Sequence, residues 1–398
     1  MIRFHAMTDA GKVRAHNEDA VFADGRSGVF AVADGVGGRA AGEVASALTI
    51  QTIEESIPTL RAVMDRYAAD PQWEQRNDVI NALDRVCQAA STRVYDEGER
   101  LGRKGMTTTV VVMLVTSGTA FFAHVGDSRA YLVRDGLIQQ LTEDHSMVNE
   151  LVRSGQMTYA EARKSQYRNV ITRAVGLYPN VQADVMSIDI LAGDRVVLCS
   201  DGLSDPIASN RIEAIACQND VNTATEALLQ AALDAGAPDN VSVAVVEPEA
   251  TPQAEAARAR AQIMQSLFLF QDLPFNARLR VARICEARSI GLRETIAREG
   301  ETSSAMYIIV QGQVEVTRSG LPITTLGAGQ HFGEMALLDE QPRSATVTST
   351  GPGSVMIIRR EALLELCQRE PGLGNSVLLA LATSLAARLR ETNPSPQS

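Results

Sequence analysis

The stretch VFAVADGVGG, residues 29–38, places an acidic side chain at the end of an apolar run. The five residues from Val29 to Ala33 predict a strand that is covered on both faces. Asp34 follows them, and the next four positions include Gly35, Gly37 and Gly38. Glycine leaves room where the backbone must pass close to another group. The stretch therefore predicts a buried strand that ends at a site.

Other acidic residues occupy similar positions along the first 250 residues. Each lies at one end of an apolar run or just ahead of one: Asp127 in VGDSRAY, Asp201 in CSDGLSD, Asp239 in APDNVSVAVV, and Glu18 and Asp19 in RAHNED, where Arg14 precedes them. A single Asp-Gly is common in ordinary turns, so each motif alone is also compatible with a turn. Together they predict several carboxylates at one site.

Carboxylates that crowd together repel each other and raise each other's pKa unless cations neutralise them. Oxygen ligands without a convergent set of histidines or cysteines favour hard divalent ions. We therefore expect Mg²⁺ or Mn²⁺, with Asp34 as a bridge between ions.

Length and composition predict a soluble, two-domain globular protein. The chain has 398 residues, of which 45% are hydrophobic and 21% charged. A net charge of −11 argues against nucleic acid and anionic membranes as partners. The N-terminus lacks an apolar signal segment, and the five cysteines are scattered without a Cys-x-x-Cys pair. These features predict a cytoplasmic protein with reduced thiols.

A change in composition divides the chain. After Val246, two prolines lead into a segment rich in Ala, Glu and Arg, which predicts a linker over 248–262. We expect a catalytic domain at 1–247, a second domain at 263–391 and a tail at 392–398. The second domain begins with helical sequence at about 261–288, continues with short, evenly spaced strands that predict a β-roll, and ends with one helix at about 361–391.

The first domain mixes strands and helices. Strand signals fall at 28–33, 107–115, 119–125, 129–134, 194–199 and 241–246, with helical spacing around Val44 and from Val79 to Val94. Short turns between neighbouring strands predict antiparallel hairpins covered by helices, an α+β fold. His124 alternates within one of these strands, which favours a hydrogen-bonded core residue over a ligand.

Residues 1–247 resemble the PPM-type metal-dependent Ser/Thr protein phosphatases in their bacterial form. The motifs RAHNED, ADGVGGRAAGE, HVGDSRAYL, LTEDHSMVNELVRSGQMT, RNVITRAVG, LCSDGL and PDNVSV occur in the family's order. The resemblance implies an αββα sandwich, with two central antiparallel sheets between helices. It implies that Asp34 bridges two metals, that the Gly35 carbonyl binds one, and that Asp201 and Asp239 bind the other.

The resemblance also implies roles for the remaining residues. Glu18 and Asp19 would act through coordinated waters, Arg14 would hold the substrate phosphate, and Asp127 would bind a third metal. Residues 145–170 would form a mobile flap near the substrate. Two departures from the family pattern stand out. Val36 occupies a position where many relatives have a histidine, and it cannot donate a proton; SQYRN at 165–169 replaces the usual flap sequence.

The stretch GQHFGEMALLDEQPRSATVTS, residues 329–349, predicts a phosphate site in the second domain. A short helix that opens at Gly333 between two strands points backbone N–H groups at one place, and Arg343 adds a bidentate phosphate ligand. A β-roll without a ligand is the alternative, but it gives no reason for Glu334 and Arg343 to occur together.

This stretch resembles the phosphate-binding cassette of cyclic nucleotide-binding domains. The resemblance implies that Glu334 binds the ribose 2′-hydroxyl and that Arg343 and Ser344 bind the cyclic phosphate. The backbone at Gly333, Met335 and Ala336 would surround it. The expected ligand is cAMP, although Ser344 is also compatible with cGMP.

We therefore expect a protein phosphatase acting on phosphoserine and phosphothreonine, with two or three Mn²⁺ or Mg²⁺ ions and regulation by a cyclic nucleotide. Its substrates would be phosphoproteins made by a Ser/Thr protein kinase. Two alternatives remain open at this point: a cyclic-nucleotide-sensing scaffold with an inert phosphatase domain, and a phosphatase of small phosphorylated metabolites.

Overall fold

The structure, a computed structural model, divides into two compact units, Met1–Glu255 and Ala256–Ser398. It describes residues 2–36, 41–162, 164–218, 220–248, 258, 262–263, 267, 269–271, 273, 275–339 and 341–392. Gly37, Gly38, most of the expected linker and the expected tail from 393 onward lie outside the described residues. The division at 255 falls within the segment expected to be the linker.

The first unit contains eleven strands and seven helices among its described residues. The strands are β1 (Arg3–Asp9), β2 (Asp19–Asp24), β3 (Val29–Val36), β4 (Thr107–Thr108), β5 (Val110–Thr116), β6 (Thr119–Val125), β7 (Arg129–Arg134), β8 (Leu137–Gln140), β9 (Asp184–Asp189), β10 (Arg195–Cys199) and β11 (Val241–Glu247). The helices are α1 (Ala41–Ala69), α2 (Trp73–Arg100), α3 (Met147–Arg153), α4 (Tyr159–Ala162), α5 (Asp201–Ser204), α6 (Ser209–Gln218) and α7 (Val221–Asp234).

These strands form two antiparallel sheets. One has the order β1-β11-β10-β7-β8, and the other has the order β2-β3-β5-β6-β9, with β4 paired to β3. Helices α1 and α2 share a hydrophobic core with the second sheet, and α6 and α7 share one with the first. The expected αββα sandwich is confirmed.

Strand β3 shows why the apolar run in VFAVADGVGG does not alternate. All five residues from Val29 to Ala33 are buried, because one face of the strand packs against α1 and the other faces the opposite sheet. Phe4 of β1 and Phe30 of β3 meet edge to face with ring centroids 5.3 Å apart. Such a pair joins the two sheets through the middle of the sandwich.

The second unit is a β-roll with helices. Its described elements are α8 (Phe275–Arg283), β12 (Cys285–Ile290), β13 (Thr295–Ala297), β14 (Ala305–Gln311), β15 (Gln313–Arg318), β16 (Leu321–Gly327), β17 (His331–Phe332), a 3-10 helix (Glu334–Leu337), β18 (Thr346–Ser349), β19 (Gly353–Arg359), α9 (Arg360–Arg369) and α10 (Pro371–Thr392). Its two sheets have the orders β12-β19-β14-β17 and β13-β18-β15-β16.

Two expectations for the second unit are wrong in detail. The single helix expected at 361–391 is two helices, because Pro371 has no N–H and restricts Glu370, which leaves the helical region at φ −131° and ψ 76°. The helical region expected to reach residue 288 ends at Arg283, and Cys285–Ile290 pairs with β19 as a strand. Across the described residues, none of the helices is both long enough and apolar enough to span a membrane.

Candidate functional site

The expected acidic residues meet where ends of both sheets come together. Asp19, the first residue of β2, lies directly opposite Asp34 of β3. Ser200, between β10 and α5, donates a hydrogen bond of 2.8 Å from Oγ to Asp19 Oδ2. This bond joins the sheet that carries Asp34 to the sheet whose strand β10 leads into Asp201. The local sequence therefore brings acidic groups from both sheets to one point.

Asp34 lies at the centre of this group. Burial raises the pKa of Asp34 well above its usual range, and the charges of Asp19, Asp201, Asp127 and Asp239 raise it further. Hydrogen bonding from the Asp34 carboxyl opposes part of the rise in pKa of both Asp19 and Asp201. Asp34 thus lies close to two other candidate ligands, as a bridging carboxylate must.

The flanking carboxyl groups have similarly perturbed pKa values. Burial is the main cause at Asp19, whose pKa rises to about 6, and at Asp127, whose pKa rises to about 7. Burial also raises the pKa of Asp201 well above its usual range, with added repulsion from Asp127 and Asp205. Groups at this density are destabilising when ionised without a cation.

Two buried oxygens give an independent test of whether the group suits a cation. Asp19 Oδ1 and Asp201 Oδ1 are enclosed, and neither receives a hydrogen bond from the part of the chain that the structure describes. Buried carboxylate oxygens normally have donors, so these two oxygens are suited to bind a cation. The donors are all oxygen atoms, which fits Mg²⁺ or Mn²⁺. The residues present therefore fit the expected divalent ions.

Gly35 is required by a close approach of backbone to backbone. A Cβ at Gly35 would lie 2.2 Å from the carbonyl oxygen of Gly42, in the first turn of α1, and 2.5 Å from that of Glu18. A Cβ at Gly42 would lie 2.9 Å from Oε2 of Glu18. The two glycines thus let α1 begin against the end of β3, and they place the Glu18 carboxylate beside that contact.

Arg14 lies in the loop between β1 and β2 and pairs with Asp239. Its Nη2 is 2.7 Å from Asp239 Oδ2, and the two side chains are 52% and 36% exposed. This hydrogen bond and the charge of Asp239 raise the pKa of Arg14, and Glu18 and Asp34 add smaller contributions. The guanidinium is thus both open to solvent and close to the acidic group, as a residue that binds a substrate phosphate should be.

The sequence-based prediction of the site missed Asp205 and Asn240. Burial raises the pKa of Asp205, and the charges of Asp144 and Asp239 contribute to the rise. Asn240 follows Asp239 and is 4% exposed, with its side chain bonded to the loop that carries Arg14. Both residues stand inside motifs quoted above, CSDGLSD and APDNVSVAVV, so proximity to a candidate ligand was the available signal.

A second group of possible metal ligands lies nearby, formed by His124, His145 and Asp184. His145 Nδ1 accepts a hydrogen bond of 3.1 Å from the Gly126 N–H, and its Nε2 is 3.2 Å from Asp184 Oδ2. His124 is 3% exposed and its Nε2 is 2.8 Å from the Glu143 carbonyl oxygen. The expectation of a hydrogen-bonded core histidine at 124 is confirmed.

The segment expected to be a flap is bonded at its start to the residue before Asp127, and the chain just after its end is bonded back to its start. His145 N donates to the Gly126 carbonyl, and Thr172 N donates to the His145 carbonyl, both at 2.8 Å. Between these points lie the short helices α3 and α4. Tyr167, within SQYRN, is 45% exposed. Val36, at the end of β3, is 41% exposed and has no group that could donate a proton.

In the second unit, the cassette residues cluster around the guanidinium of Arg343. Its Nη2 donates to Ser303 Oγ at 2.7 Å and to the Ala305 carbonyl at 2.5 Å, and its Nη1 donates to the Gly333 carbonyl at 3.3 Å. Arg343 also lies over the Tyr307 ring, 5.7 Å from its centroid. The guanidinium is therefore held in one place before any ligand binds.

The remaining cassette residues differ in their exposure to solvent and in their hydrogen bonds. Burial lowers the pKa of Arg343, while the charge of Glu334, which is 5% exposed, opposes that change, so the two side chains are close. Met335 is 56% exposed, and Ser344 is exposed. Ala336 N donates to the Gly333 carbonyl within the 3-10 helix at 3.1 Å. A phosphate contact at Ala336 N would have to share or replace that bond.

Comparison with known families accounts for both units. The family model described as protein phosphatase 2C matches residues 10–241 of the 398. The chain belongs to the protein phosphatase 2C family. A second family model, cyclic nucleotide-binding domain, matches residues 287–370. Both resemblances noted in the sequence are thereby confirmed.

Two similar proteins are bacterial phosphatases. The chain is 37% identical over 248 residues to the serine/threonine protein phosphatase PstP of Mycobacterium tuberculosis, covering 62% of this chain and 45% of that protein. It is 34% identical over 247 residues to the protein phosphatase PhpP of Streptococcus pneumoniae, covering 60% of this chain and 95% of that protein. The chain thus spans less than half the length of the mycobacterial relative.

Solved structures agree with the fold. The crystal structure of Mycobacterium tuberculosis PstP superposes with a TM-score of 0.56 and 36% identity, covering 63% of this chain and 99% of that one. The PstP catalytic domain in complex with two manganese ions has a TM-score of 0.54, 35% identity and the same coverage. Each match is confined to about the length of the phosphatase domain.

Proposed function

We propose that this protein hydrolyses phosphoserine and phosphothreonine in proteins in a reaction that depends on Mn²⁺ or Mg²⁺. The observation that carries the proposal is the position of Asp34 opposite Asp19 and close to Asp201, with the Arg14–Asp239 pair beside them. Membership of the protein phosphatase 2C family supports it. Retention of every expected carboxylate argues against a scaffold with an inert phosphatase domain.

In this proposal Asp34, Asp201, Asp239 and the Gly35 carbonyl bind two divalent ions, with Glu18 and Asp19 acting through water and Asp127 holding a third. Divalent ions at such a site neutralise phosphoryl oxygens and make a water more acidic. Arg14 binds the substrate phosphate through its guanidinium, which reaches solvent. Val36 contributes no proton, so the leaving group takes its proton from water.

The direct test is phosphate release by the full chain from a phosphothreonine peptide in Mn²⁺, in Mg²⁺ and with excess chelator. We expect turnover with either ion and none with chelator. Asp34→Asn should have no activity in either ion, and Asp65→Asn, a change at an exposed position on α1, should behave as the wild type. Faster hydrolysis of free phosphoserine than of the peptide would favour a phosphatase of small metabolites.

We further propose that the second domain binds a cyclic nucleotide, with cAMP preferred to cGMP, and that binding regulates the phosphatase. Support comes from the match to a cyclic nucleotide-binding domain and from Arg343, which is held next to the Glu334 carboxylate. Glu334 would bind the ribose 2′-hydroxyl, and Arg343, Ser344 and the backbone of residues 333–336 would surround the phosphate. The sign proposed for the regulation is activation.

Calorimetry on the full chain tests this second proposal. We expect cAMP to bind more tightly than cGMP and Arg343→Ala to bind neither. Phosphopeptide turnover, measured with and without saturating cAMP, should rise in the wild type and stay constant in Arg343→Ala. Coupling in binding is reciprocal. Bound phosphopeptide should therefore change the affinity for cAMP by the same factor by which bound cAMP changes the affinity for phosphopeptide. Substrates made by a Ser/Thr protein kinase are the partners that this function requires.

A further inference from the structure

We infer that Asn240 is a positioning residue that sets Arg14 against Asp239 by holding the loop between β1 and β2. The inference rests on the proposed role of Arg14 in binding the substrate phosphate. Asn240 is 4% exposed and precedes β11. It is neither acidic nor basic, so it stands outside the candidate ligands, but every group of its side-chain amide has a partner in that loop.

The amide makes three hydrogen bonds to the backbone of the loop. Its Nδ2 donates to the Ala10 carbonyl at 2.9 Å and to the His16 carbonyl at 2.8 Å. Its Oδ1 accepts from the Glu18 N–H at 2.8 Å. The bonds span the whole loop, with Arg14 between the two carbonyls, so the side chain fixes both ends of the segment from which the guanidinium extends.

Only an amide of this length supplies such a set. Two donors and one acceptor in a plane are the inventory of asparagine, and aspartate would set a carboxylate against the two carbonyl oxygens. Aspartate would still accept from Glu18 N–H, whereas alanine would lose all three bonds. Because buried backbone groups without partners are costly, the loop should leave its place in both variants.

The backbone of Asn240 places the same residue against two other parts of the site. A Cβ at Gly202, next to Asp201, would lie 1.9 Å from the Asn240 carbonyl oxygen. Asn240 N donates to Asp239 Oδ1 at 2.9 Å, and a Cβ at Gly11 would lie 2.3 Å from the Asp239 carbonyl oxygen. Asn240 is therefore in direct contact with the arginine loop, with Gly202 beside Asp201 and with the Asp239 carboxylate.

Hydrogen exchange on the full chain tests the inference without relying on turnover. In Asn240→Ala we expect amides of residues 10–18 to exchange about 10- to 100-fold faster, with little change elsewhere. Thr225→Val is the control, because it removes buried side-chain hydrogen bonds to the carbonyls of Val221 in α7 and His5 in β1, and none to residues 10–18. Unchanged exchange in residues 10–18 of Asn240→Ala would overturn the inference, even if the protein turns over no phosphopeptide.

Kinetics then test whether the loop matters through Arg14. We expect Asn240→Asp to raise KM for the phosphopeptide about tenfold, and Thr225→Val to leave KM unchanged. In an Arg14→Ala background, Asn240→Asp should raise KM much less, since the group that it positions is gone. Equal rises in both backgrounds would show that Asn240 does not act through Arg14. Calorimetry with inorganic phosphate gives the same comparison without turnover.

Discussion

Asp19 and Asp34 are direct partners across the antiparallel pair of β2 and β3, so two carboxyl groups face each other at the end of a buried sheet. Pairs of like charge opposite each other weaken a sheet. The protein keeps this pair at a place where Asp201 and Asp127 add to the repulsion. The arrangement is unfavourable for the chain alone and becomes favourable with cations, which links stability to metal binding.

We predict that Asp34→Asn stabilises the metal-free protein while it abolishes the response to metal. The change removes a carboxyl group whose pKa is raised well above its usual range by burial and by its acidic neighbours. Thermal unfolding in chelator should give a Tm equal to or above that of the wild type. Added Mn²⁺ should raise the Tm of the wild type by several degrees and that of the variant hardly at all. If the Tm of the metal-free variant were well below that of the metal-free wild type, repulsion among these carboxyl groups would be contradicted.

For Arg14→Ala we predict a rise of about tenfold in KM for a phosphopeptide, with a smaller change in kcat, because a ground-state phosphate contact is lost. The ion pair with Asp239 is half-exposed, so its loss should change the free energy of unfolding by less than about 1 kcal/mol. Arg14→Lys should recover part of the affinity. Steady-state kinetics measure KM and kcat, and urea unfolding measures stability. A large loss of stability with unchanged KM would assign Arg14 a structural role.

Gly333 and Gly320 provide a matched pair for the nucleotide site. Both have φ of +77°, but a Cβ at Gly333 would lie 2.2 Å from Arg343 Nη1, whereas a Cβ at Gly320 meets nothing within 4 Å. Alanine at either position should cost about 1–2 kcal/mol in backbone strain. We predict that Gly333→Ala alone also weakens cAMP binding, by at least tenfold, because it displaces the guanidinium. If calorimetry gave Gly333→Ala and Gly320→Ala the same affinity for cAMP, the position of the Arg343 guanidinium would be unimportant for binding.

His124 should make the protein less stable in mild acid. Burial and the neighbouring His145 lower the pKa of His124 to about 4. Since an unfolded histidine titrates near 6.5, the unfolded chain binds a proton that the folded chain excludes. This cost is absent above pH 6.5 and grows to the order of 3 kcal/mol as the pH falls to about 4.

The measurement is urea unfolding of the wild type and His124→Gln between pH 7.5 and 4.5. The variant is expected to be less stable at pH 7.5 but to lose less stability on acidification. Buried carboxyls contribute equally to both proteins, so the difference between the two isolates the histidine. Parallel curves for the two proteins would show that His124 takes up its proton in the folded state.

The sequence predicted the central strands well because they are buried on both faces or alternate clearly. β6 and β7 begin and end where the pattern placed them, at 119–125 and 129–134. The edge strands β1 and β2 were missed, because most of their residues are half-buried and their apolar stretches, such as AVFA at 20–23, are short. Partners far away in the chain stabilise these strands, and periodicity does not report such partners.

The same limit applies to the candidate site. Acidic residues at strand ends were visible as motifs, and the structure places Asp34 among them as expected. The bonds from Asn240 to Ala10 and Glu18 join positions more than 200 residues apart, so no local pattern predicts them. Glu370 and Pro371 show the reverse case, in which a local signal was present but the leucine-rich pattern on either side obscured it.

Strands β1 and β11 run side by side, with Arg3 opposite Glu247 at one end and Asp9 opposite Val241 at the other. The chain thus enters and leaves the phosphatase unit on two neighbouring strands at one edge of one sheet. Tension applied between residues 3 and 247 would peel the two strands apart one hydrogen-bonded pair at a time, beginning at Arg3 and Glu247. Under such a load the unit should yield at low force, and the pairs beside the acidic cluster, at Thr8 and Asp9, would be the last to part.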